Sequence, residues 1–238
     1  MRPSISSHLT ALAGKTDDWF RRANAGLLNQ VPCRAGCSHC CKGLFPITRL
    51  DVRLLEEGLE RLPTDQRQRI EKQAAHQAAA LEAAYPQLEL SSSLDGWSDE
   101  EIDRAVQAFR DAPCPALGSD GCCAVYAHRP LTCRSMGIPT RQDTTVTGAC
   151  PVQTFVPIVR LSAALETEEQ ELAAAEAALL EVLPEVAAEG EELLLPYAFI
   201  PARLKTCTKP SRGGNALART YEVPSDEAGG GGSYRPTN

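Results

Sequence analysis

Ten cysteines in 238 residues are placed so unevenly that they constrain this chain more than anything else does. Cys33, Cys37, Cys40 and Cys41 fall within nine residues. Cys114, Cys122, Cys123, Cys133 and Cys150 follow in a second group, and Cys207 stands apart. Three uses compete for such a pattern. A disulfide framework needs an oxidising compartment and is commonest in shorter chains. Buried structural thiols account for one or two cysteines but not for clusters. Metal or iron–sulfur ligation accounts for both clusters, because thiolates two or three residues apart can aim at one centre. A second group arriving from far along the chain would close the site. We therefore expect metal chelation, by zinc or by an iron–sulfur cluster, for which [4Fe–4S] is one candidate.

The surroundings agree. Net charge is −7 and the pI is about 5.2, which argues against nucleic acid as a partner, since phosphate binding needs a basic surface. No apolar run approaches the roughly 18 residues of a membrane-spanning helix, so no membrane partner is expected. Met1 to Phe20 is polar and lacks the apolar core of a secretory leader, so the expected compartment is a reducing cytoplasm.

Periodicity predicts a mainly α chain wrapped around an irregular cysteine-rich metal-binding core, with a small α+β element allowed. Four regions are expected: an N-terminal helix over 1–30, a cysteine-cluster region with inserted helices over 31–151, a C-terminal helical region over 152–210, and a disordered Gly-rich tail over 211–238. Thr48 with Asp51 reads as the start of a helix carrying Leu50, Leu54, Leu55 and Leu59. Thr64 reads as the cap of a second helix to about Ala84. Ser98 with Glu101 is a capping box for a third, running to about Asp111. Pro86 to Trp97 reads as loop, Cys123 to Tyr126 as a short strand, and Phe155 to Leu161 as strand or helix entry. Thr167 with Gln170 reads as a further capping box. Leu161 to Ala202 holds ten glutamates and no Lys or Arg. That stretch is a solvated helix face or a docking surface for a basic protein partner.

The cysteine segments resemble one family. Cys33 to Cys41, Cys114-Pro-Ala-Leu, Cys123-Ala-Val-Tyr-Ala-His-Arg-Pro, Cys133-Arg and Cys150-Pro match, in order, the cysteine-cluster family of zinc- or iron-chelating proteins, named for a Cys-x-x-Cys-x-x-Cys-Cys pattern. The first gap here has three residues instead of two. Tyr126 lies three residues after Cys123, so Cys123 and not Cys122 takes the family position. The resemblance implies a metal-ligand set of Cys33, Cys37, Cys40, Cys41, Cys114, Cys123, Cys133 and Cys150, leaving Cys122 and Cys207 as structural thiols. One branch of the family is similar to flagellin lysine N-methylases. An S-adenosylmethionine-dependent lysine methylase with a cluster is therefore an alternative that the resemblance allows. A metal-scaffolded adaptor using the acidic helix is another.

Eight thiols exceed the four that one tetrahedral zinc or one [4Fe–4S] cluster takes. Either there are two centres, or some cysteines serve as outer supports or a redox pair. Adjacent side chains diverge, so one of Cys40 and Cys41 should point elsewhere. Four thiolates on Zn²⁺ or on [4Fe–4S]²⁺ leave a net charge of −2, which Arg129 and Arg134 are positioned in sequence to compensate; Arg34 and Lys42 lie in the first loop. His39 and His128 are expected to be bystanders, and no nucleophile–base arrangement is evident. The spacing Cys33-x3-Cys37-x2-Cys40 matches radical S-adenosylmethionine enzymes, but no strand–helix alternation for their barrel follows it.

Overall fold

The computed structural model describes residues 4–26, 37–138, 140–142, 145–147 and 161–200. Cys33, Arg34, Cys150, Cys207, the 155–160 segment and the tail over 211–238 lie outside the described residues. The described chain is mainly α, as its periodicity predicts. Eight helices run in the order α1 (Ile5–Gly26), α2 (Arg49–Glu60), α3 (Thr64–Ala84), α4 (Gln87–Leu90), α5 (Asp99–Ala108), α6 (Leu131–Ser135), α7 (Ala163–Glu181) and α8 (Pro184–Glu189). Two short antiparallel pairs complete it. β1 (Pro46–Thr48) pairs with β4 (Glu192–Leu194), with Ile47 opposite Leu193; β2 (Thr140–Gln142) pairs with β3 (Thr145–Thr147).

The β1–β4 pair ties residues far apart in sequence into one core. Leu193 and Leu194 are fully buried, and the 3₁₀ turn Leu195–Phe199 inserts Tyr197 and Phe199 beside Leu55, Ile70 and Leu81 of α2 and α3. Each such large apolar side chain removed from water contributes roughly 1.5–3 kcal/mol. The alanine-rich α3 presents Ala74 and Ala78 here, and their small size lets neighbouring backbone approach closely. A second core joins Leu9 and Leu12 of α1 to Leu50 and Leu54 of α2, Leu131 of α6 and Leu180 of α7. A third gathers Trp19, Ala23, Ile138 and Leu161, with the Trp19 indole N–H donating to the Leu165 carbonyl at 3.0 Å. α1 is thus held between α6 and α7. The buried Arg49 ties α2 to the end of α8, donating to the Glu189 carboxylate at 2.9 Å and to the Glu189 and Gly190 carbonyls.

Local chemistry departs from the sequence expectation at several ends. The Ser98–Glu101 capping box forms in full. Thr48 is the N-cap of α2 in backbone terms, but its hydroxyl donates to Glu176 at 3.1 Å instead of capping. α3 begins at Thr64 with Pro63 at the cap, and α5 ends at Ala108, short of Asp111. α7 begins earlier than Thr167: Ser162 caps it by accepting from the Leu165 amide, and the Thr167 hydroxyl bonds back to the Ala163 carbonyl within the helix. The Pro86–Trp97 loop contains α4. The segment read as a strand at Cys123–Tyr126 makes one bridge, Leu117 with Cys123, before turning into a 3₁₀ turn at Tyr126–His128. Too few residues are in register there to extend a ladder.

Candidate metal centre

The cysteine region is assembled by backbone hydrogen bonds between loops. His39–Cys41 forms a 3₁₀ turn, and the chain after it runs antiparallel to 112–114. The Cys114 amide donates to the Cys41 carbonyl at 2.8 Å, and the Gly43 amide to the Ala112 carbonyl at 2.8 Å. Gly43 has φ of +88°, and a Cβ there would lie 3.2 Å from the Arg110 carbonyl oxygen, so both conformation and space favour glycine. A tight loop then returns Cys123 to Cys114. The Gly118 amide bonds the Cys122 carbonyl, the Ala124 amide bonds the Ala116 carbonyl, each at 2.8 Å, and Asp120 accepts from the Cys122 amide at 3.0 Å. The Tyr126–His128 turn and the Arg129–Pro130 corner lead into α6, which carries Cys133.

Four thiols converge as a result. Cys40, Cys114, Cys123 and Cys133 come from four separate segments, and every pair among them interacts electrostatically. Cys114, Cys123 and Cys133 pack on the edge of the main core. Burial is the main force pushing the Cys133 thiol far up, with Cys114, Asp51, Cys40 and Cys123 adding to it. Burial likewise pushes Cys114 up to about 12, reinforced by Cys123 and Cys40. Cys123 is raised by burial and partly relieved by Arg129. Cys40 is raised most by a hydrogen bond with Cys41, then by burial, with Arg129 pulling the other way. Without a metal, these thiols therefore hold their protons near neutral pH. A divalent ion reverses that balance, since it stabilises thiolate and displaces the protons.

The remaining expected ligands divide. Cys41 adjoins Cys40 and is hydrogen-bonded to it. Cys37 is half-buried in the first loop, and Cys122 is exposed. Cys33 and Cys150 lie outside the described residues. Among the described residues no three Cys, His, Asp or Glu side chains form a group that could hold a metal ion as they stand. The donor set itself, four thiols with a guanidinium alongside, suits zinc or an iron–sulfur cluster and no hard cation.

Both arginines lie at the site. Arg129 stacks over the Tyr126 ring with its guanidinium carbon 4.1 Å from the centroid, donates to the Tyr126 carbonyl at 3.0 Å and pairs with Asp17 at 2.6 Å. Arg134 is buried. It donates to the Arg129 and Ala127 carbonyls at 3.1 and 2.7 Å and pairs with the other oxygen of Asp17 at 2.5 Å. Arg134 thus braces the loop between Ala127 and Cys133, whereas the Arg129 charge acts on Cys40 and Cys123. His39 is exposed. His128 is held below its usual pKa by burial and by Arg61, and packs on α2 at Gly58.

Sequence reasoning missed two carboxylates. Asp51 is completely buried, and its Oδ1 accepts the Leu131 amide at 2.6 Å, so α2 caps α6 from a distance of 80 residues. Burial, and next Glu176, push its pKa up to about 8. Its sequence signal was present but pointed to Thr48 as the local partner. Asp17 gave no signal beyond being one of two acids on α1.

A family profile described as a putative zinc- or iron-chelating domain, CxxCxxCC, matches residues 32–151, half of the chain. The chain belongs to this family. No curated protein and no solved structure matches it. The matched segment contains all four converging thiols and both arginines, and it excludes α1, α7, α8 and β4. No described helix is long and apolar enough to cross a membrane.

Proposed function

We propose that this protein binds zinc or an iron–sulfur cluster through Cys40, Cys114, Cys123 and Cys133, in a structural, redox or cluster-handling role. The observation that carries this reading is that those four thiols, drawn from four segments of the matched cysteine region, lie within electrostatic reach of one another, and that Arg129 acts on two of them. Four is the number a closed tetrahedral zinc or a [4Fe–4S] cluster takes. The protein's part is to hold the four donors within reach of one point, to keep most of the site away from water, and to set Arg129 against the net −2 of a loaded tetrathiolate. The family's other positions, Cys33, Cys37, Cys41 and Cys150, supply donors for a second centre or a redox pair.

Nothing in the geometry of the described residues favours the methylase alternative. The adaptor reading is weakened by the fate of the acidic stretch. Glu168, Glu185 and Glu189 pair with Arg22, Arg53 and Arg49, and Glu176 bonds Thr48, so much of that charge binds the chain to itself. The test is the zinc, iron and acid-labile sulfide content after anaerobic purification. About four irons with four sulfides per chain, or one or two zincs without sulfide, supports chelation and decides the metal. Neither metal above trace levels, with no uptake on reconstitution, rejects the reading.

A further inference from the structure

α1 lies outside the family-matched region, yet it supplies the carboxylate at the centre of the site's basic side. Asp17 offers one oxygen to Arg129 and the other to Arg134, at 2.6 and 2.5 Å. Arg134 is 4% exposed and Arg129 16%, so both guanidinium groups are largely shielded from solvent, while the Asp17 side chain that joins them is 33% exposed. α1 is itself anchored on its far side, through Trp19 to the Leu165 carbonyl and through Arg22 to Glu168, so Asp17 is presented from a fixed helix. Among the described residues, the other hydrogen-bond and ring contacts of the Arg129 guanidinium are the Tyr126 carbonyl and the Tyr126 ring, and both belong to an exposed tyrosine. Asp17 is thus the partner that fixes the guanidinium to the rest of the fold.

We propose that Asp17 is a positioning residue for the thiol site, holding the Arg129 guanidinium beside Cys40 and Cys123 so that the loaded site's negative charge is compensated. The inference rests on the chelation reading above. It makes α1 part of the metal-binding unit, although the family region begins after it.

The sign of the effect separates positioning from bare charge. Loading four neutral thiols leaves a net charge of −2. Deleting a nearby carboxylate as a point charge would tighten binding. Deleting it as a tether weakens binding, because Arg129 is released. An asparagine side chain in place of the carboxylate would keep one acceptor but turn an N–H₂ toward the second guanidinium, so Asp17→Asn breaks the two-sided contact at nearly constant volume. The probe is Co²⁺, titrated anaerobically into the metal-free full chain and followed by its thiolate-to-cobalt absorption. Asp17→Asn should lower Co²⁺ affinity about ten-fold or more, the range seen when groups supporting metal ligands are removed. Asp17→Glu should recover part of the loss. In an Arg129→Gln background the Asp17→Asn loss should be several-fold smaller. Far-UV circular dichroism and thermal unfolding of each metal-free variant check that the fold persists. Unchanged or tighter binding in Asp17→Asn overturns the inference, as does an undiminished loss in the Arg129→Gln background. Failure of the unaltered chain to develop the thiolate band overturns this inference; the chelation reading falls as well only if zinc, iron and sulfide uptake are also absent.

Discussion

Gly58 places a tight steric demand on the loop between Cys123 and Cys133. It lies in α2, where the Tyr126–His128 turn crosses. A Cβ added there would come within 2.8 Å of His128 Cβ and 3.2 Å of Val125 Cβ and Cγ1. Carbon pairs prefer about 3.5–4.0 Å, and Cβ atoms cannot move without their backbone, so the turn must retreat by roughly 0.7 Å or more. Such overpacking costs about 1–3 kcal/mol, against a helix-propensity gain of about 0.8–1 kcal/mol for Gly→Ala. Gly58→Ala should therefore be net destabilising by about 1 kcal/mol. Gly14, inside α1, is the internal control. Its added Cβ meets nothing within 4 Å, so Gly14→Ala should stabilise by nearly the full propensity gain. Urea unfolding of the metal-free variants, with midpoints and slopes compared, reads both effects. The account requires opposite signs. If both variants gain stability equally, the close packing of α2 on the Cys123–Cys133 loop is wrong.

The buried carboxylate and the raised thiols give further expectations. Asp51 has a folded pKa of about 8, above the unfolded value near 3.9, so the stability from its protonated form is fully present below about pH 4 and is lost as pH rises from about 4 to about 8. Asp51→Asn keeps an acceptor for the Leu131 amide and carries no charge. It should flatten the pH dependence of the unfolding free energy across that window and be more stable than the parent at about pH 8, by an amount on the order of 1–5 kcal/mol. An unchanged slope would contradict the burial of this charge. The four thiols are held protonated, so zinc binding near pH 7.5 in dilute buffer should release about four protons per ion, measured by a pH indicator. Release of one or none would mean that the thiols are not the ligands. The same linkage makes affinity fall as pH falls.

The cysteine pattern made the family legible in the sequence, because spacing and the Arg-Pro-x-x-Cys-Arg segment are local features. Helix positions were legible for the same reason: the Leu50–Leu59 stripe and the Ser98–Glu101 box are each contained within one helix. What was not legible is non-local. Which of Cys40 and Cys41 faces the other thiols depends on the 41–43 segment pairing with 112–114. Thr48 and Asp51 read as partners three residues apart; in the fold the Thr48 amide does act on the Asp51 carboxylate, but the hydroxyl turns to Glu176 and the carboxylate also reaches Leu131. Thr167 satisfied a capping pattern, but Ser162 has the extended backbone that a cap requires and starts the helix earlier. The acidic stretch read as a solvated face or a docking surface, and the pairing of Glu168, Glu185 and Glu189 with arginines of α1 and α2 is likewise non-local.

The most direct test of the central claim is X-ray absorption spectroscopy at the metal edge on the loaded chain, repeated for single Cys→Ser variants. The account predicts four sulfur neighbours, at about 2.3 Å for zinc. It predicts that Cys40→Ser, Cys114→Ser, Cys123→Ser and Cys133→Ser each lose the metal or replace one sulfur by a lighter atom, whereas Cys122→Ser leaves the shell unchanged. Four intact sulfurs in all four of the first variants would contradict it.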